Sequence, residues 1–145
     1  MMRPAFVYPV ALERDPGGKL QVFARDVPEL VTSAWSEAEA LEMAADALEV
    51  ALGSYPIADR DFPPASAPLP GEHLVAPPPA AAAKFVVIAA WRAAGIRKTD
   101  LAERLGLAET EVRRILDPDR RTKLERLDEA ARALGKRIVI GIEDL

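Results

Sequence analysis

Arg113 and Arg114 are adjacent, with Glu109 and Thr110 just before them and a second cluster, the basic Arg120, Arg121 and Lys123 with Thr122 among them, just after. Arg97 and Lys98 lie a short distance upstream. A guanidinium can bond two acceptors on the edge of a guanine, and such a pair discriminates by about 1–3 kcal/mol. Lysine, arginine and threonine side chains also hold phosphate oxygens, which fixes register without reading sequence. Residue types of this kind point to recognition of a nucleic-acid duplex. Glu109 and Glu111 place negative charge beside the same surface, so affinity is expected to be weak for a single copy.

Catalytic chemistry is less well supplied. Hydrolysis by metal ions needs several converging carboxylates, yet the first apolar stretch, Ala5 to Leu12, contains none. Glu13 and Asp15 fall at its end and Asp26 in a turn. His73 is the single histidine and reads as a solvated side chain rather than a general base. Ser66 lies among prolines with no base nearby in sequence. Trp35 and Trp91 read as core or interface residues rather than stacking platforms. The expectation is a protein that is not an enzyme and uses no cofactor or metal.

The basic residues have to be placed by helices. Counting from Lys98 as the first position, Ala102 is fifth, Gly106 ninth, Val112 fifteenth and Ile115 eighteenth, and each of these matches the signature of a helix-turn-helix. The small Ala102 lets a second helix cross closely, and Gly106 suits a left-handed turn. Leu101, Leu105, Val112 and Ile115 supply the inner faces. In such a motif the second helix enters the major groove. Glu109, Thr110, Arg113 and Arg114 are then the base-reading candidates. Arg97, Lys98, Arg120, Arg121, Thr122 and Lys123 are the phosphate-holding ones. Ala108 stands where a capping Ser or Thr is usual, a cost of about 0.5–2 kcal/mol.

Around this segment the pattern predicts a helix over roughly Ala81–Ala94, helices near Lys98–Leu105 and Glu109–Leu116, and a fourth near Lys123–Leu134. A terminal strand is expected over Arg137–Ile142. Its Ile138, Val139, Ile140 and Ile142 would expose an apolar edge unless paired, which makes them candidates for a dimer seam. Upstream, Ala5–Leu12, Leu20–Ala24 and Leu30–Ala34 read as strands, the first two joined at the turn Asp15-Pro16-Gly17-Gly18. Pro9 argues for an edge position or a bulge in the first strand. Ser36 and Glu39 have the spacing of a capping box. They open a helix whose apolar stripe is read as Ala38, Leu41, Ala45, Leu48 and Leu52. Eight of the thirteen prolines fall between Pro56 and Pro79. That stretch reads as a stiff extended connector that no helix runs through, with a possible fourth strand at His73–Ala76. The fold class is thus α+β. An N-terminal antiparallel sheet with one helix (1–55) is followed by a connector (56–79) and a helical domain ending in a strand (80–145).

Composition sets the context. The chain has 145 residues, half of them apolar, enough for two small domains with real cores. It has no cysteine, which excludes disulfides and thiolate sites and fits a reducing cytoplasm. Neither a signal peptide nor an apolar run of membrane-spanning length is expected. The net charge of −4 is uneven: residues 1–79 carry 5 Lys/Arg against 12 Asp/Glu, residues 80–145 carry 14 against 11. An acidic half suits a basic partner and a mildly basic half a polyanion.

Taken together the chain resembles the HicB family of antitoxins from type II toxin–antitoxin pairs. The resemblance rests on Phe6-Val7-Tyr8-Pro9-Val10, Gly17-Gly18, Val22 to Glu29, Thr32, Ser36 to Ala40, Ala44 to Leu48 and Phe62-Pro63-Pro64-Ala65-Ser66. The C-terminal half resembles the subgroup with a helix-turn-helix, including Leu116-Asp117-Pro118, Leu124, Leu127, Ala130 and Ala131. Two departures stand out: the connector is richer in proline than usual, and Arg120 stands where a histidine is common. The resemblance implies a truncated ribonuclease H-like N-terminal domain that covers a small mRNA-cleaving toxin of the HicA type. It also implies a C-terminal domain that dimerises, or forms a higher oligomer, and represses its own operon. Toxin-contact residues are not implied by any motif; Asp26 and Glu29 are candidates, though turn capping accounts for Asp26 equally well. The rival reading is a stand-alone DNA-binding regulator with an N-terminal sensing domain.

Overall fold

The computed structural model describes residues 4–145. The chain divides into two compact units, Met1–Ala82 and Ala83–Leu145.

In the first unit β1 (Tyr8–Arg14) and β2 (Leu20–Phe23) form a hairpin, and β3 (Thr32–Ala34) pairs with β2. The hairpin turn is held by Asp15, whose carboxylate accepts from the backbone N–H of Lys19 at 2.9 Å and from Gln21 at 3.0 Å. β4 (His73–Val75) returns to the far side of β1, giving the strand order β3-β2-β1-β4, all antiparallel. Alternation along the strands sends Val10, Leu20, Val22 and Ala34 into the core. There they meet α1 (Glu37–Ile57), which packs on β2, β3 and β4.

Pro9 does not sit on an edge strand, because β1 is central. Pairing with β2 begins only at Ala11, whereas pairing with β4 covers Tyr8 to Val10. The proline therefore occupies a stretch of β1 with a neighbour on one side only, where a missing donor costs little. The buried face of α1 also differs from expectation. Ala40, Ala44, Leu48, Ala51, Leu52 and Tyr55 are buried, whereas Ala38 is exposed and Leu41 and Ala45 are only half-buried. Small alanines face the sheet because they let the helix lie close to it. Ser36 caps α1 by accepting from the Glu39 N–H at 3.3 Å. At the other end Pro56 falls inside the last turn and the helix stops one residue later.

The proline-rich stretch is tied down rather than free. The Tyr8 hydroxyl donates to the Pro63 carbonyl at 2.7 Å. Asp26 accepts from the Ser66 N–H at 2.8 Å and hydroxyl at 2.7 Å. Arg25 donates to Glu72 at 3.0 and 3.1 Å and to the Ala67 carbonyl at 2.7 Å. Glu29 accepts from the Tyr55 hydroxyl at 2.5 Å and lies 3.4 Å from Arg60. Asp26 and Glu29, both in the turn before β3, thus spend their side chains within the unit.

The second unit is helical: it holds α2 (Pro79–Ala94) from Ala83 onward, α3 (Lys98–Leu105), α4 (Glu109–Ile115) and α5 (Leu124–Ala133). α2 begins two residues before the expected Ala81, because a proline at the first helical position gives up an N–H that is unpaired there anyway. α3, α4 and α5 pack on one another around Leu101, Ala102, Val112, Ile115, Leu127, Ala130 and Ala131, all buried.

The expected terminal strand is absent: no strand is formed over residues 137–145. Ile138 is half-buried and Val139, Ile140 and Ile142 are exposed. Strand composition needs an edge to pair with, and the helices of this unit offer none. Among the described residues no single helix is long and apolar enough to cross a membrane.

Candidate nucleic-acid interface

α3 and α4 are joined by Gly106, Leu107 and Ala108. Gly106 takes φ 65° and closes α3 in the left-handed conformation, where a side chain would be strained. The Leu107 N–H then bonds back to the Ala102 carbonyl at 3.0 Å. Ala102, only 6% exposed, lies at the crossing.

α4 has two distinct faces. Val112 and Ile115 are buried, while the Arg113 and Arg114 side chains are 63% and 60% exposed. Thr110 is exposed and Glu109 half-buried beside them. Arg113 donates to Glu109 at 2.8 Å and Arg114 to Glu111 at 3.1 Å. The N-terminus of α4 has no side-chain cap, since Ala108 has nothing to accept with.

The phosphate candidates fall into three situations. Arg97 is paired with Asp100, which also accepts the Arg97 backbone N–H at 2.9 Å. Those hydrogen bonds hold the Asp100 carboxyl below the usual carboxylate range. Arg120 lies 3.7 Å from Asp117, and Lys98 sits 5.6 Å over the Trp91 ring. Arg121 and Lys123 are exposed, and neither pairs with a carboxylate among the described residues. Exposed pairs of this kind are worth about 0–1 kcal/mol, so the acidic partner holds each guanidinium only weakly.

Thr122 is half-buried, and its hydroxyl oxygen accepts from Lys84 Nζ at 2.5 Å. Lys84 was not among the expected functional residues. It is 4% exposed, and its ammonium also donates to the carbonyls of Arg114 at 3.0 Å and Ile115 at 2.8 Å. Burial pushes its pKa down to about 8, opposed by the charge of Asp117. The available signal was a single charge inside the apolar run Ala80 to Trp91.

The catalytic candidates do not assemble. His73 Nε2 lies 3.6 Å from the Glu37 carboxylate, and Ser66 is bound to Asp26. No group of three or more Asp, Glu or His that could hold a metal ion occurs among the described residues.

Residues 7–86 match a family model described as the HicB-like antitoxin of bacterial toxin–antitoxin systems. The chain belongs to the HicB-like antitoxin family. Relatives of the same name extend the match along nearly all of it. Antitoxin HicB of Escherichia coli (strain K12) is 34% identical over 132 residues, 90% of this chain and 95% of that protein. Antitoxin HicB 1 of Photorhabdus laumondii is 35% identical over 136 residues, 94% of this chain and 86% of that protein. Antitoxin HicB of Pseudomonas fluorescens (strain Pf0-1) is 31% identical over 145 residues. The region matching the HicB-like model is the sheet unit and the start of α2. The second unit is shared with the full-length relatives.

In this HicB-like sheet the face turned away from α1 carries Phe23 on β2, Leu74 on β4, and Val31 and Trp35 flanking β3. All four are exposed, Val31 at 83% and Trp35 at 64%. Lys19 Nζ lies 5.5 Å from the Trp35 ring.

Proposed function

We propose that this chain neutralises a small HicA-like, mRNA-cleaving toxin through its sheet unit and represses its own operon through α3 and α4 acting as a helix-turn-helix. The observation that carries the second role is the division of α4: its apolar side is spent on the core while two adjacent guanidinium groups project from the other. A rod presenting arginines in this way suits the major groove. Glu109, Thr110, Arg113 and Arg114 read bases; Arg97, Lys98, Arg120, Arg121 and Lys123 hold phosphates. Thr122, already engaged by Lys84, is reassigned from phosphate ligand to strut. The role is regulatory and not catalytic, and its place is the cytoplasm.

Antitoxin family membership implies a toxin partner and favours this reading over a stand-alone sensor. The excess of carboxylates in residues 1–79 suits a basic RNA-cutting protein. Apolar side chains left open on the outer sheet face, Phe23, Val31, Trp35 and Leu74, are of the kind that mark an interaction surface.

The DNA role is tested by gel shift of the full chain with its upstream promoter. Arg113→Ala is expected to weaken binding and relax sequence preference. Arg121→Ala is expected to weaken all sequences alike and to flatten the salt slope by about one unit. Equal behaviour of the two variants overturns the assigned roles. For the toxin role, the full chain should co-purify with a short basic protein encoded beside it, and Trp35→Ala should reduce the capture without altering the gel shift.

A further inference from the structure

Lys84 makes three hydrogen bonds to two different parts of the second unit. Two go to the carbonyls of Arg114 and Ile115, the last turn of α4, and one to the Thr122 hydroxyl, in the loop that carries Arg120, Arg121 and Lys123. Helix-terminal carbonyls have no partner within their own helix, and a cation beside them is favoured by the helix dipole. α4 is seven residues long and lacks a side-chain cap at its start. So short a helix takes its position from external anchors rather than from its own hydrogen bonds. The bonds to Lys84 fix the end of α4 and the basic loop relative to each other through one atom.

We propose that Lys84 is a positioning residue for DNA recognition: its buried ammonium locks the arginine-bearing helix α4 and the phosphate-facing loop 117–123 into the mutual arrangement that meets a duplex. The inference rests on the DNA-binding reading above. Lys84 itself touches no DNA. Thr122 contributes through Lys84 rather than through a phosphate. The charged group that acts on the ammonium is Asp117, and its hydrogen-bond acceptors are the two carbonyls and the hydroxyl.

The experiment measures operator affinity by gel shift for full-length wild type, Lys84→Met, Thr122→Val and the double variant, at temperatures where circular dichroism shows each folded. Lys84→Met keeps the apolar stem and removes the charge; the Arg114 carbonyl keeps the Asp117 N–H at 3.3 Å, and affinity is expected to fall roughly tenfold, the scale of losing the ammonium's bonds to the Ile115 carbonyl and the Thr122 hydroxyl. The slope of affinity against salt should stay as in wild type, because no phosphate contact is lost. Thr122→Val should weaken binding less, and the double variant should bind no worse than Lys84→Met alone, since the two residues act as one. Wild-type affinity should also decline as pH rises through 8, and that decline should be missing in Lys84→Met.

If Lys84→Met binds as wild type, or if Thr122→Val weakens binding by the same factor with and without Lys84, the positioning role is overturned. Should Lys84→Met fail to fold, Thr122→Val decides: unchanged affinity sinks the proposal. A wild-type chain that shifts no promoter DNA would instead remove the DNA-binding reading, and the role of Lys84 with it.

Discussion

At the scale of single residues, the molecule places one charge where stability and the role proposed for it pull in opposite directions. Burial lowers the pKa of Lys84 from its ordinary 10.5 to about 8. Between those values an unfolded chain binds a proton that the folded chain has released, so stability rises with pH across that window. Keeping the ammonium charged at neutral pH therefore costs on the order of 3 kcal/mol. Tyr55 works the other way: burial and its bond to Glu29 push it up to about 12 from 10. The folded chain then holds a proton the unfolded one loses, and stability falls above pH 10. Tyr8 is raised as well, by burial first. Thermal melts between pH 7 and 11 should show a rise from pH 8 to about 10 and a decline beyond. Lys84→Met should abolish the rise and keep the decline; a flat profile in wild type would contradict the burial of the charge. The sequence makes Ala102 and Gly106 legible, because a tight turn and a close crossing demand those residue types locally. It leaves Lys84 and Asp26 illegible, because the acceptors and donors that define them are 30 to 40 residues away.

At the scale of elements, helices bounded by their own chemistry are readable and elements defined by a neighbour are not. α3 has the expected bounds, stopped by Gly106, and α4 starts at the expected Glu109. The first half of the α1 stripe is misread because alanines recur on more than one side of the helix, and the sheet buries the side with Ala40 and Ala44 rather than the one with Ala38, Leu41 and Ala45. Pro9 is misplaced because the offset between β2 and β4 along β1 is invisible in sequence. The missing cap of α4 gives a direct prediction. Ala108 already has extended φ and ψ of −66° and 148°, the conformation a capping residue needs. Ala108→Ser should stabilise the chain by about 0.5–2 kcal/mol, seen as a higher melting temperature. A lower melting temperature would mean that this position tolerates no hydroxyl, and the account of α4 as an under-capped helix would fail.

At the scale of the whole molecule, the proposed DNA role raises the question of how a chain with so little positive charge would hold a polyanion. Residues 80–145 carry a balance of only +3, and Arg97, Arg113, Arg114 and Arg120 already have acidic neighbours. One copy would then bind weakly, because few phosphates are neutralised. Two copies on half-sites about 34 Å apart convert the second binding event into an intramolecular one, a gain of about 10²–10⁴-fold. The segment with the composition to join two copies is the C-terminal one. Val139, Ile140 and Ile142 are exposed at 59%, 73% and 102%, and we propose that these strand-forming residues, unpaired within one chain, find their edge in another. A chain ending at Lys136 should sediment as a monomer and lose most of its operator affinity, while still capturing the toxin through the sheet unit. Ile140→Asp should do the same by burying a charge in the seam. If the shortened chain stays dimeric and binds its promoter unchanged, the copies are joined elsewhere and residues 138–142 are not the seam.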